Sequence, residues 1–293
     1  METRISSATK EVIISNDRPT VLIGERINPA GKKKLAEALK TGNLEIVSRE
    51  ALTQVQAGAD IIDVNVSTFG VDEITLLPQA VQAVMDTVDV PLCLDSANPE
   101  ALETALKVYK GKPLINSVTA EEHSLAKVLP LVKEYGAAVI GLPQDDEGIP
   151  SNSDRRVAIA RKIVEQAEAV GIPRRDVIID CMVFAVGADT SSGLVAIETA
   201  RRVKAELGVN LTLGASNVSF GLPDRDVVNN AFAAIVIAAG VTCLIADVAK
   251  VRPIVLAADL VLGKDEYAIR YVKAHRQRRK TLVEEEEDTS GRG

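Results

Sequence analysis

Carboxylates and amides stand at the ends of apolar runs along this chain. Glu25 falls in "TVLIGER" from Thr20, Asp63 and Asn65 in "ADIIDVNV" from Ala59, and Asp95 in "VPLCLDS" from Val90. Asn116 follows in "KPLINSV" from Lys112, Asp180 in "DVIIDCMV" from Asp176, Asn217 in "LTLGASNV" from Leu211, and Asp247 in "CLIADVA" from Cys243. Almost none of these ends carries Lys, Arg or His. Carboxylates crowded in a low-dielectric cup repel one another and lose hydration, so such a set faces a cation, a metal or a ligand rich in N–H donors. A fused 2-amino-4-oxo ring fits, because its exocyclic amino group and ring N–H lie side by side and one carboxylate can accept both. The only two histidines, His123 and His275, sit off these ends. That disfavours a His-bearing transition-metal site or a Ser/His triad, while an all-oxygen Mg²⁺ site stays open. Lys250 lies past the last run and is a weak candidate for Schiff-base chemistry. A polar strand end is also often only a cap or turn former, the reading given to Ser96, Asn98 and Asp176.

With "AAVIGLP" from Ala137 the apolar runs number eight, and segments of helical period separate them. In "PEALETALKVYK" from Pro99 and "SDRRVAIARKIVEQAEAVG" from Ser153, apolar residues recur three and four apart behind an Asn, Ser or Asp cap. Gly171 and Pro173 then stop the second helix. Continuous apolar strands alternating with helices predict a single-domain α/β fold, a parallel (β/α)₈ TIM barrel. A doubly wound sheet would show a glycine-rich phosphate loop after the first strand, and "GERINPAGKKK" from Gly24 does not fit it. In a barrel the working face is the C-terminal mouth of the strands, and side-chain alternation puts Cys93 with Asp95, Leu114 with Asn116 and Ile178 with Asp180. If those faces point inward, the acidic and amide groups converge.

Composition bounds the rest. The 293 residues suit one barrel; with 3% aromatics, its core must be built from Ala, Val, Ile and Leu. A net charge of −7 and the lack of a basic face argue against nucleic acid. "RQRRK" from Arg276 followed by "EEEED" from Glu284 reads as a helix end and a disordered acidic tail. The domain reading is an N-terminal extension over 1–19, the barrel over 20–280 and that tail over 281–293. The first residues lack a signal-peptide core, which predicts a cytoplasmic protein. "AFAAIVIAAGVTCLIADVA" from Ala231 is broken by Gly240 and Asp247, so it reads as buried helix, turn and strand rather than a membrane span. Cys93, Cys181 and Cys243 read as free thiols in apolar surroundings.

"GERIN" at Gly24, "LCLDSAN" at Leu92, "INS" at Ile115, "IID" at Ile178 and "SNVSFGLP" at Ser216 fall on separate strands. Together they resemble the pterin-binding methyltransferases: the methyltetrahydrofolate:corrinoid protein methyltransferases and the folate-binding module of cobalamin-dependent methionine synthase. More distantly the pattern is similar to dihydropteroate synthase. The resemblance runs from about Thr20 to about Lys273. It implies a barrel that binds tetrahydrofolate or 5-methyltetrahydrofolate as substrate, usually as a homodimer. By the same resemblance Asp95, Asn116 and Asp180 grip the pterin ring, Glu25 lines the site, Arg225 lies near the folate and Asn217 lies close to the pterin N5. Phe220 departs from the acetogen-type enzymes, which carry Gln there, and follows the methionine synthase pattern.

The activity so implied moves a methyl group between N5 of tetrahydrofolate and the cobalt of a separate corrinoid protein, in a direction the residues leave open. N5 is a poor leaving group unless a hydrogen bond forms there in the transition state, and an amide such as Asn217 suits that better than a fixed cation. The residues after His123 and His275 do not form an Asp-x-His-x-x-Gly corrinoid motif, so the cobalamin belongs to a partner docking transiently over the mouth. The alternatives are a dihydropteroate synthase-like condensing enzyme and a folate-binding module without catalysis. The "GLPDRD" that follows Asn217 reads as a turn with Asp224 capping the next helix.

Overall fold

The computed structural model describes the backbone of residues 1–290 and the side chains of residues 1–279. The chain opens with an antiparallel hairpin, β1 (Thr3–Ser6) and β2 (Glu11–Ile14), inside the segment read as an extension. Eight parallel strands follow: β3 (Val21–Ile27), β4 (Ile61–Asn65), β5 (Leu92–Asp95), β6 (Leu114–Thr119), β7 (Ala138–Leu142), β8 (Val177–Asp180), β9 (Asn210–Thr212) and β10 (Cys243–Ala246). Each matches one of the eight apolar runs. Their order is β10-β3-β4-β5-β6-β7-β8-β9, and hydrogen bonds from Thr242 and Ile245 to the carbonyls of Leu211 and Leu213 close the cylinder between β9 and β10. The result is the expected single-domain (β/α)₈ barrel.

Helices α1 (Lys33–Lys40), α2 (Glu45–Ala57), α3 (Glu73–Met85), α4 (Pro99–Val108), α5 (Glu122–Glu134), α6 (Ser153–Ala169), α7 (Ser192–Leu207), α8 (Arg225–Ala239) and α9 (Val248–Val261) cover the cylinder. The two helices expected from their period are α4 and α6, capped by the side chains of Asn98 and Asn152. The long apolar passage is α8, a left-handed Gly240 and β10; no helix among the described residues is long and apolar enough to cross a membrane. A last helix, α10, runs Ile269–Ser290. The acidic tail expected over 281–293 lies outside the described side chains.

Two cores result from the alternation of strand side chains. Between sheet and helices lies a broad aliphatic layer, including Ile62, Leu92, Ile115, Val139 and Leu211. Inside the cylinder, Val21, Ile23, Ile61, Cys93, Leu114, Ala138, Ile140, Ile178 and Cys243 pack with Ile5, Val12 and Ile14 of the hairpin. The hairpin thus plugs the N-terminal end of the barrel. Asn210 Nδ2 ties it down by donating to Thr3 Oγ1 at 2.8 Å and to the Ile14 carbonyl at 2.9 Å. All three cysteines are buried and free.

Candidate active site

The interior layers that are apolar at the hairpin end turn polar at the other. Asp63, Asp95, Asn116 and Asp180 continue the inward faces of β4, β5, β6 and β8, one step beyond Ile61, Cys93, Leu114 and Ile178. Glu25 enters from β3 through a bulge, where the register with β4 shifts between Gly24 and Ile27. Gly24 permits it: a Cβ there would lie 2.4 Å from Gln54 Oε1, the atom that accepts from the Arg26 N–H at 2.9 Å. The strand β9 ends in a 3₁₀ turn, Ala215–Ser219, that presents Ser216 and Asn217. Gly214 leaves room for that amide, since a Cβ there would approach Asn217 Nδ2 to 2.9 Å.

All six residues singled out from the sequence, Glu25, Asp95, Asn116, Asp180, Asn217 and Arg225, line one cavity of about 680 Å³ at the C-terminal mouth. A smaller cavity of about 330 Å³ joins it through Asp180, Gly214, Asn217 and Phe220 and carries the exposed ring of Phe184. His123 and His275 line neither. No group of His, Cys, Asp and Glu able to hold a metal occurs among the described residues.

The carboxylates lie deep and the cations lie at the rim. Burial pushes Asp180 up to about 7, against the pull of the Met182 N–H, which donates to Asp180 Oδ1 at 2.6 Å, and of Arg156. Burial likewise raises Asp95 to about 6, restrained by hydrogen bonds from Asn65 and Asp63. Asp63 is raised well above the carboxylate range, first by burial and then by the charge of Asp95. Glu25 is raised by burial and tempered by the Ser216 hydroxyl, which donates to it at 2.7 Å. Among the described residues none of these four carboxylates has an ion-pair partner.

The rim cations are already engaged. Lys32 Nζ donates to the carbonyls of Glu25 and Arg26, Lys250 pairs with Asp226 at 3.0 Å, and Arg26 stands 3.7 Å from both Glu50 and Asp247. Arg225 donates to Ser219 Oγ and the Ser216 carbonyl and stacks 5.8 Å from the Phe220 ring, so it braces the loop carrying Asn217. The side-chain amide of Asn217 itself makes no hydrogen bond among the described residues.

Sequence reasoning missed two contributors, Ser216 and Arg156, and noted a third, Asp63, as a strand-end carboxylate without giving it a role. Asp63 sits beneath Asp95 and Asn116, and its place two residues before Asn65 was its signal. Ser216 fixes Glu25. Arg156, 1% exposed, donates to the carbonyls of Pro150, Cys181 and Met182 and stacks on Phe184, which locks the loop after β8 against Asp180. One expectation is corrected: Asp224 makes no side-chain cap, because its backbone is left-handed, φ 45°, and turns the carboxylate away from the first helical N–H groups.

A parallel eight-stranded barrel with a donor-seeking acidic mouth is the class of protein that fold and site define. Comparison with known proteins narrows it. The model of the pterin-binding enzymes matches residues 24–247, and the chain belongs to that family. It is 30% identical over 267 residues to a methylcorrinoid:tetrahydrofolate methyltransferase of Eubacterium limosum, covering 88% of this chain and 96% of that one. It is 31% identical to the methionine synthase of Mycobacterium tuberculosis over 86% of this chain, which spans only 22% of that longer protein. Among solved structures, a Yersinia pestis dihydropteroate synthase with a pterine-sulfa conjugate superposes with a TM-score of 0.69 at 16% identity, over 89% of this chain and 99% of the other. A Xanthomonas albilineans dihydropteroate synthase superposes with a TM-score of 0.68 at 22% identity, over the same shares of the two chains. At those identities the likeness speaks for the fold alone.

Proposed function

We propose that the protein is a methyltransferase that moves a methyl group between N5 of tetrahydrofolate and the cobalt of a separate corrinoid protein. The observation carrying this reading is the cavity itself: two buried carboxylates, a half-buried one and an amide, none of them in an ion pair, beside a free Asn217 amide at the rim. Acceptors left that way match the amino group and ring N–H groups of a pterin, which can pair with a carboxylate through two charge-assisted hydrogen bonds. The name of the Eubacterium limosum relative supports the corrinoid half of the reaction.

Asp180, Asp95 and Asn116 bind and orient the ring, and Glu25 lines the cup from β3. Arg225 faces the acidic tail of the folate while bracing the Asn217 loop. Asn217 donates its amide N–H to N5 as electron density returns to that nitrogen in the transition state. A neutral donor favours the departing amine without repelling its protonated form, which a fixed cation would do. The deep position of the ring leaves the mouth open to the corrinoid protein, which supplies the cobalt as second substrate. The reading includes a homodimer in the cytoplasm, with no nucleic acid or membrane partner. Condensation chemistry of the dihydropteroate synthase kind needs cations free for a departing diphosphate, and Lys32 and Lys250 are already engaged.

The test mixes purified protein with 5-methyltetrahydrofolate and a Co(I) corrinoid protein and follows the visible spectrum. Conversion to the methylcobalt spectrum that depends on this protein is the expected result. Binding of the folate without conversion for any corrinoid carrier would favour a binding module, and no folate binding at all would end the reading.

A further inference from the structure

Asp63 is the deepest polar group of the cup, 2% exposed; Asn116 Nδ2 donates to its carboxyl at 3.3 Å, and the Cys93 thiol and the Asp95 carboxyl lie beside it on the next strand. Two ionised carboxylates are acceptors only and repel each other, so neighbouring Asp63 and Asp95 can hydrogen-bond only with a proton on one of them. The surroundings offer no cation to substitute for it. Cys93 and Asp95 face Asp63 from β5 and Asn116 from β6; Asn65 and Glu73 act on Asp95, and Cys243 on Cys93. All are neutral or acidic.

We propose that Asp63 is a positioning residue: it holds the single proton of the pair, donates it to Asp95 and accepts from the Asn116 amide. Both site residues are thereby set for a ligand. Asp95 stays an anion with its remaining lone pairs toward the cavity, and Asn116, its N–H₂ engaged below, turns its carbonyl oxygen upward. The cup then presents acceptors only to the ring edge, the pattern that a 2-amino-4-oxo ring with its N–H groups completes. This step rests on the pterin reading for the ligand, but the shared proton belongs to the free protein. Burial fits the assignment, because Asp63 is 2% exposed while Asp95 is only half-buried, so the charge is less costly on Asp95.

Infrared spectroscopy of the full chain at pH 8, without ligand, tests the proton directly. Asp95 and Asp180 are ionised there, so the carbonyl band of a neutral carboxylic acid should appear in the wild type and vanish in Asp63→Asn. A band that persists in the variant, or no difference between the two, overturns the proposal. Calorimetry with 5-methyltetrahydrofolate tests the positioning. Asp63→Ala should weaken binding roughly tenfold or more, while Asp63→Asn, which keeps one donor and one acceptor, should recover to within about threefold of wild type. Equal losses in the two variants, with both folded by thermal unfolding, would also overturn it. A wild type that shows the band yet ignores folate would sink the proposed function and leave the shared proton standing.

Discussion

The two ends of the barrel share eight strands and treat their interiors in opposite ways. At the N-terminal end Ile5, Val12 and Ile14 of the hairpin seal an aliphatic stack, and Asn210 Nδ2 ties the hairpin down through Thr3 Oγ1 and the Ile14 carbonyl. At the C-terminal end Asp63 and Asp180 are buried and Asp95 is half-buried, and among the described residues none of them forms an ion pair. One end stabilises the fold by removing apolar surface from water; the other holds groups whose charged forms burial disfavours. Stability and binding are therefore separable along the barrel axis.

The largest effect expected on that separation is at the plug. Ile14 is fully buried among the interior side chains, so Ile14→Ala should cost about 2–5 kcal/mol in urea unfolding. Folate affinity measured where the variant is folded should stay near wild type. A comparable loss of affinity would show that the ends are coupled. Next in size, and at the other end, Asn217→Ala should slow methyl transfer by about 10²- to 10³-fold with little change in folate binding if, as proposed, the amide acts when charge develops at N5. Equal losses in rate and binding would make Asn217 a binding group only.

The same division explains what could be read from the sequence. Strands buried on both faces are continuous apolar runs, so β3 through β10 stand out between helical segments. The hairpin does not, since "TRIS" and "EVII" each bury only two of four residues and carry charges between them. Five of the candidate site residues were legible because they interrupt those runs at their ends, and Arg225, which opens α8, was found only through the family resemblance. Groups acting through others were not. Arg155 and Arg156 look alike in sequence, yet Arg155 is a surface ion pair with Asp145 and Glu147 and Arg156 is buried. Only helical phase separates them, as Arg156 shares a face with Ile159, Ala160 and Ile163. Ser216 opens a quoted motif, but nothing in the sequence signals its bond to Glu25, which spans 191 positions of the chain.

A third change sharpens the comparison on the acidic side. Each charge-assisted hydrogen bond is worth roughly 1.5–3 kcal/mol, so Asp180→Ala should weaken folate binding by about ten- to a hundredfold. The loss should be larger at pH 8 than at pH 6, because the wild-type carboxyl, raised to about 7, must ionise to serve as the acceptor. Calorimetry at both values checks it. An affinity independent of pH in the wild type would remove Asp180 from the ring-binding set.

The smallest expected effect is on stability, and its sign runs against intuition. The folded Asp180 binds its proton more tightly than an ordinary Asp near 3.9 in the unfolded chain. Its contribution to stability is therefore fully present below that ordinary value and is lost as pH rises toward about 7. Asp180→Asn removes the titration and keeps an oxygen for the Met182 N–H, so at pH 8 the variant should melt a few degrees above wild type. Near pH 4 the two should converge. Calorimetric scans at both pH values, with the Ile14→Ala protein alongside, would show whether a destabilising charge at the mouth and a stabilising plug at the base respond independently. A wild type more stable than Asp180→Asn at pH 8 would mean that the mouth is wetter than its buried carboxylates imply.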